Sequence, residues 1–316
     1  MLPQRHHVAM EHLTNTQRLQ AIAALVVTVV FWGSAFIGIR AVVASEAYSP
    51  GQLSSARLLI AAVLLGGLVA ARGGIRIPDK RDRLTFLALG ATGQCLYHLL
   101  LNTGERTVDG GTASLLIAIA PMLAALTAVF MLGERLSVAG WLGTVAAFVG
   151  AAMIAVAAGA SLSGGPGIIL VLVATVLWAL YLVIQKTLAD RYDSLELTAW
   201  PMWIGATLLL PFAFSLPRAV TDAPWTATAA IVFLGAFCSV AAFMTWAYAI
   251  RRLPVTVATS ALYTVPVAAF VVGLVFLRET PPPSALLGGV IAVAGVALVQ
   301  LRGRPMTVPA IAEQSV

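Results

Sequence analysis

Charge is scarce in this sequence. Only 10% of its 316 residues are Asp, Glu, Lys or Arg, and 60% are apolar. Soluble domains carry roughly 25% charged and 45–50% apolar residues. One soluble core could not hide the excess. Cysteine is also rare: Cys95 and Cys238 both sit inside apolar runs. That excludes a disulfide framework or a cysteine-rich metal site and leaves two small hydrophobic side chains. Of four histidines, His6, His7 and His12 precede the first apolar run. There is no HExxH, no GxxxxGK[ST] and no GxSxG. Nothing therefore points to zinc hydrolysis, ATP-driven pumping or a serine hydrolase, and no cofactor or metal is expected.

Long polar stretches are missing too. Apolar runs fall at about 19–41, 51–71, 84–103, 111–132, 138–158, 167–187, 197–216, 227–249, 255–277 and 285–301. Each approaches the roughly 20 residues that cross a hydrocarbon layer about 30 Å thick. Lipid cannot satisfy backbone polar groups, and helices satisfy their own. The pattern predicts an all-α polytopic membrane protein of ten transmembrane helices, with the lipid bilayer as its solvent. The run from Leu19 is too long for a signal-peptide core. Residues 1–18 and 303–316 are polar tails.

Lys and Arg set the orientation. With the N-terminus cytoplasmic, 14 of the 19 lie on inner segments, 4 on outer ends, and Arg57 within a span. This bias predicts both termini on the cytoplasmic side of a plasma (inner) membrane. The net charge of +6 then reads as orientation, not nucleic-acid binding.

Two stretches match each other. IAPMLAALTAVFMLGE at 119–134 and TVPVAAFVVGLVFLRE at 264–279 place Pro121 and Pro266, and Glu134 and Glu279, 145 residues apart. Aligning 121–152 with 266–297 gives ten identities in 32 columns, among them Gly143, Ala147 and Gly150. Near the start of each half the offset is 146, which pairs Trp32 with Trp178 and Arg40 with Lys186. One duplication with one indel accounts for both. The repeats run over 19–158 and 166–302. Five spans is an odd number, so the second copy is inverted, an architecture of secondary transporters. Proline removes one helix hydrogen bond, and Pro121 and Pro266 read as kinks lining a central cavity.

These residues carry a resemblance. FWGSAFIGIR in span 1, Arg57 in span 2, Pro…LGE in span 4 and Pro…RE in span 9 look like the drug/metabolite transporter superfamily, EamA type, over about residues 18–302. The resemblance implies a cavity between the halves, built from spans 1, 3, 4, 6, 8 and 9. It also implies alternating access, with export of amino acids or other small metabolites. Span 6 departs from the pattern, with Ala179 and Leu180 after its tryptophan in place of Gly-Ser. In the second half, Met202 and Trp203 stand near where a mate of Arg57 would fall.

Polar groups in lipid usually face a cavity or a partner helix. Gln94, His98 and Asn102, spaced by four, form one helical face, and Tyr97 adjoins it. Ser239, Phe243 and Trp246 stripe span 8. Trp178, Tyr181 and Gln185 stripe span 6. Trp32 and Ser34 come from span 1, and Tyr263 precedes Pro266 by three residues. These are the candidate contacts of a small-molecule solute, with interhelical packing as the alternative reading. His98 titrates near neutral pH and is the candidate for proton coupling, against a bland role as a bonded core histidine. Arg57 reads either as a structural arginine that snorkels outward or as a ligand for a solute carboxylate. Glu134 and Glu279 sit at the membrane edge, and no carboxylate lies at mid-membrane depth, which disfavours a carboxylate proton relay.

The stripes predict a transporter and not an enzyme. An intramembrane enzyme acting on a lipid or peptide bond would need a nucleophile and base, and Ser34 with His98 lacks a third group. A receptor-like protein would not need polar stripes duplicated across inverted halves. The sequence sets no oligomeric state, coupling ion or direction.

Overall fold

The computed structural model describes residues 15–120, 122–124, 127, 137–157, 165–253, 258, 261–276, 278 and 282–302. Among them there is no strand. Helices α1 Asn15–Ala44, α2 Pro50–Arg72, α3 Arg83–Gly104, α4 Gly110–Ile117 and α5 Val138–Ala157 form the first half. Helices α6 Pro166–Leu188, α7 Ser194–Leu208, α8 Trp225–Ile250, α9 Val265–Phe276 and α10 Pro283–Arg302 form the second. Five of these, α1, α2, α3, α6 and α8, are long and apolar enough to cross a membrane. Large apolar side chains such as Trp141, Phe148, Val267 and Phe276 are exposed, as lipid permits and water does not.

The expected seventh run, 197–216, is not one helix. It stops at Leu208, and short helices follow at Leu210–Ala213 and Leu216–Asp222. Pro211 and Pro217 each open one of these pieces, because proline lacks the donor a helix interior needs. The expected ninth run is helical from Val265, after one 3₁₀ turn at Leu262–Thr264. Pro266 is buried in α9. Pro121, Glu134 and Glu279 lie outside the described residues.

Helix packing pairs the halves by exchange. Helix α1 packs on α8 and α9, and α6 packs on α3 and α4; α2 packs on α8, and α7 on α3. The pairs α2–α7 and α5–α10 are their own images. The α5–α10 crossing shows why some residues recur. A Cβ on Gly150 would lie 2.4 Å from Ala292 N and 2.5 Å from Gly288 O. One on Gly295 would lie 2.5 Å from Ala147 N and 2.6 Å from Gly143 O. Small residues let membrane helices touch backbone to backbone, where dispersion replaces the absent hydrophobic drive.

Helices α3 and α8 each contain a π-helical turn, at Gly90–Leu96 and Leu234–Ala241. The two coincide at the 145 offset. Gly90 abuts Ile204 and the Pro201 carbonyl, and Gly235 abuts Ile60 and the Arg57 carbonyl. These matching contacts make Pro201, rather than Met202 or Trp203, the equivalent of Arg57, at an offset of 144. Helix starts agree. Ser49 and Gln52 form a capping box on α2, and Asp193 and Glu196 form one on α7, satisfying orphan N–H groups reciprocally.

A tyrosine clasps the halves together at each end. Tyr48, before α2, shares a 2.7 Å hydrogen bond with Thr228 of α8. Its equivalent Tyr192, before α7, donates to Asp82 at 2.8 Å and accepts from Asp79 N at 3.0 Å, beside α3. The second clasp is charged. Arg191 Nη1 donates to both Asp82 oxygens, at 2.7 and 2.9 Å. Arg76 pairs with Asp79, Arg72 with Asp193, and Glu196 Oε1 accepts from Arg76 N.

The hydrogen bond from Arg76 holds the Asp79 carboxyl below its ordinary value. Burial pushes Asp193 up, but its bonds to Arg72 and the α7 amides outweigh that and leave it lowered. Lowered carboxyls stabilise fully above the ordinary value of 3.8, and the contribution is lost as pH falls through the lowered values.

Two outcomes are expected in detergent melts. Gly150→Leu or Gly295→Leu should collapse the thermal midpoint, whereas Gly66→Ala, where a Cβ meets nothing within 4 Å, should hold it or gain about 0.5–1 kcal/mol. Asp82→Ala should cost about 2 kcal/mol and Tyr48→Phe about 1 kcal/mol. The charged clasp should contribute equally at pH 5 and 7 and weaken below pH 3.8, a fall that Asp193→Asn makes shallower.

Candidate functional site

The centre of the molecule is aromatic. Trp32 of α1 and Trp178 of α6, equivalent at the 146 offset, meet edge to face with ring centroids 5.2 Å apart. Phe243 lies 5.2 Å from Trp32 and 5.9 Å from Trp178. Tyr181 stacks on Trp178 at 5.0 Å and 9°, and Tyr97 lies against it at 5.1 Å. Edge-to-face and offset contacts suit ring quadrupoles and add about 0.5–1.5 kcal/mol each beyond area burial.

A cavity opens beside this cluster. Its walls are Trp32, Ala35, Phe36 and Ile39 of α1, Arg57 of α2, and Tyr97, His98 and Leu101 of α3. Ser114, Ile117 and Ala118 come from α4 and its end, Trp178 from α6, Phe243 from α8, and Leu262 and Val265 from the α9 entry. So α1, α3, α4, α6, α8 and α9 meet here, joined by α2.

Four of the expected site residues border the cavity: Trp32, Tyr97, His98 and Trp178. Six others are buried beside it in protein contacts. Asn102 donates to Ser54 at 2.8 Å. Gln185 donates to the Tyr181 hydroxyl at 2.9 Å and accepts from Trp246 Nε1 at 3.1 Å. Ser239 accepts from Arg57, and Gln94 packs on Gly205 of α7. Ser34 is half-buried and returns its hydroxyl to Val30 O at 2.7 Å. The side chain of Tyr263, like Pro121, lies outside the described residues. Of Gln94, His98 and Asn102, spaced by four, His98 borders the cavity, while Gln94 packs on Gly205 of α7 and Asn102 meets Ser54 of α2.

His98 Nδ1 is 2.9 Å from the Gln94 carbonyl. A carbonyl only accepts, so Nδ1 carries a proton, and in the neutral ring Nε2 is then an acceptor. Among the described residues neither Nε2 nor Trp32 Nε1 has a hydrogen-bond partner. Arg57 is 3% exposed, so it does not snorkel outward. Its Nε donates to Ser239 Oγ at 2.7 Å. It is the one arginine or carboxylate residue bordering the cavity among the described residues. The sequence leaves its role open because α2 has no polar stripe; its burial beside the π turn of α8 carries the signal instead. No group of three or more His, Cys, Asp or Glu that could hold a metal occurs among the described residues.

The sequence pattern of the EamA-like transporter family matches residues 19–156 and again 165–301. The chain belongs to that family. It is a multi-pass membrane protein and a small-molecule transporter. A Streptantibioticus cattleyicolor protein named "Probable terminal-alkyne amino-acid exporter" is 44% identical over 90% of this chain and 94% of its own. The Bacillus subtilis transporter YdfC is 34% identical over 87% of this chain and 89% of its own. The Escherichia coli inner membrane transporter YedA is 25% identical over 95% and 98%. A solved crystal structure matches with a TM-score of 0.58 at 22% identity, covering 88% of this chain and 96% of that one, and shares the fold.

The Trp246–Gln185–Tyr181 chain closes one side of the aromatic layer. Gln185→Leu strands the Trp246 N–H and should cost about 2 kcal/mol. Acrylamide quenching of tryptophan fluorescence should rise with it; unchanged quenching and midpoint would discount the chain's role.

Proposed function

We propose that the chain exports small organic metabolites, amino acids foremost, by alternating access through the aromatic cavity. Ten spans would cross a plasma (inner) membrane as two inverted five-helix repeats, 19–158 and 166–302, with both termini cytoplasmic. The observation that carries this reading is the cavity itself: one aromatic and polar space, walled by helices of both halves, where Trp32 meets its own equivalent. Exchange pairing of the helices supports the inversion, and the amino-acid class rests on the exporter relative.

With this topology the ends of α1 and α3 and the start of α4 face outward. Ile39, Leu101 and Ser114 then place the cavity in the outer half, and the Trp246–Gln185–Tyr181 layer is the closed inner gate. Trp32, Tyr97, His98 and Trp178 contact the solute. Of the other expected residues, Gln94, Asn102, Tyr181, Gln185, Ser239 and Trp246 shape the walls. His98 is the residue through which a proton gradient would act.

Counterflow in proteoliposomes with labelled amino acids, with and without a pH gradient, tests this directly. Wild-type protein should exchange solute that mass spectrometry recovers chemically unchanged. Trp178→Ala or His98→Ala should reduce exchange about tenfold or more with expression intact. If both variants exchange at wild-type rates, the cavity assignment fails; if the solute returns with a bond cleaved, the chain acts as an enzyme.

A further inference from the structure

The two halves are near copies, yet the cavity is electrically one-sided. Arg57 borders it, and the equivalent position in α7 is Pro201, which carries no charge. The partner position differs as well: Arg57 meets Ser239, whereas the residue equivalent to Ser239 is Gln94, which packs on Gly205. A buried guanidinium is costly unless its charge and donors are met. Its one hydrogen bond among the described residues uses Nε, on the edge turned to Ser239. No carboxylate forms an ion pair with Arg57 among the described residues, and Glu105 acts on it electrostatically. The two terminal nitrogens, the part of the fork that takes a carboxylate bidentately, are thus left for what enters the cavity.

We propose that Arg57 is the carboxylate anchor of the solute site, a reading that rests on the transport function proposed above and specifies its substrate as a carboxylate-bearing amphiphile. Ser239 is a positioning residue: by holding Nε it fixes the plane of the fork. The rest of the wall suits the remainder of an amino acid. Trp32, Trp178, Phe243 and Tyr97 make an aromatic wall suited to an apolar side chain or an ammonium. His98 Nε2, an acceptor with no hydrogen-bond partner among the described residues, accepts from that ammonium. The solute enters with one polarity, because only one half supplies the cation.

The test varies the ligand before the protein. Quenching of intrinsic tryptophan fluorescence, with the full chain in nanodiscs, is titrated with L-propargylglycine, L-leucine and L-phenylalanine. Each is compared with its carboxamide and its decarboxylated amine, and counterflow is run on the same set. Wild-type protein should prefer the acids by about tenfold or more, the weight of one charge-assisted pair. Arg57→Lys should keep part of that preference, and Arg57→Gln should erase it while amide binding persists. Ser239→Ala should raise KM for the acid more than it lowers the maximal rate. Equal binding of acid and amide by wild-type protein overturns the anchor and leaves transport standing, and so does an acid preference that survives in Arg57→Gln. Should no acid, amide or amine bind or exchange, the transport reading for amino acids falls and takes the anchor with it. The wild-type ligand comparison decides the matter even if Arg57→Gln does not fold.

Discussion

Backbone contact between equivalent helices is what the rest of this architecture depends on. Lipid tails are as apolar as leucine, so burying a side chain between helices gains little there. What remains is close approach, and close approach needs residues without bulk. Gly150 sits on Ala292 and Gly288, and Gly295 sits on Ala147 and Gly143. The same pair of contacts is made twice because each helix presents the other's sequence. At the centre the same logic runs with large side chains: Trp32 meets Trp178. A two-fold arrangement forces every residue near the axis to be complementary to its own copy. Trp32 and Trp178 meet this by one offering its edge and the other its face, so the contact departs from exact two-fold symmetry, where two cations would repel.

Polar groups are distributed by a second constraint. Buried donors and acceptors in a membrane protein must find partners within the protein or in the space it encloses. The equivalent tyrosines Tyr48 and Tyr192 do this at opposite ends, and both clasps are closed in one conformation. They bind α2 to α8 and α7 to α3, so this side of the interface is a fixed seam. The cavity lies where α1, α3, α4, α6, α8 and α9 meet beside α2, and aromatic and aliphatic side chains make up most of its wall. The alternating movement proposed above would leave that seam intact and exchange aromatic contacts across the cavity instead of breaking the clasps' hydrogen bonds.

Much of this was legible in the sequence, and the residues say why. Seven of the ten apolar runs fall within a few residues of a described helix, and proline, glycine and capping residues mark such ends: Ser49 and Pro50 start α2, and Gly73, in the left-handed conformation, stops it. The identities at 143, 147 and 150 signalled a repeat and turned out to be the crossing it builds. The 144 offset in α2 and α7 was not legible, because its markers are chemical equivalents and not identities: Ser49 for Asp193 and Gln52 for Glu196. The π turns were not legible either. Nothing in GATGQCL or LGAFCSVA announces one, and nothing in the spacing of Gln94, His98 and Asn102 says which of the three borders the cavity. Tertiary contact also decided which aromatic residues reached the cavity. Trp246 and Trp178 lie on similar stripes, and only one of them borders it.

Duplication explains the scaffold, and its imperfection explains the site. A symmetric cavity would bind a solute equally well in two opposed poses, which wastes recognition on orientation. Breaking the symmetry with charge costs least where the backbone already departs from a regular helix. A π turn leaves room for a long side chain from the facing helix. In the second half that turn is α8 at Gly235–Ser239, facing α2. Arg57 arises from the residue whose carbonyl abuts Gly235, and its Nε reaches Ser239 within the same turn. In the first half the corresponding turn faces Pro201, whose ring cannot reach a cavity. The difference between an arginine and a proline at one equivalent position therefore separates a structural repeat from a chemically directed site.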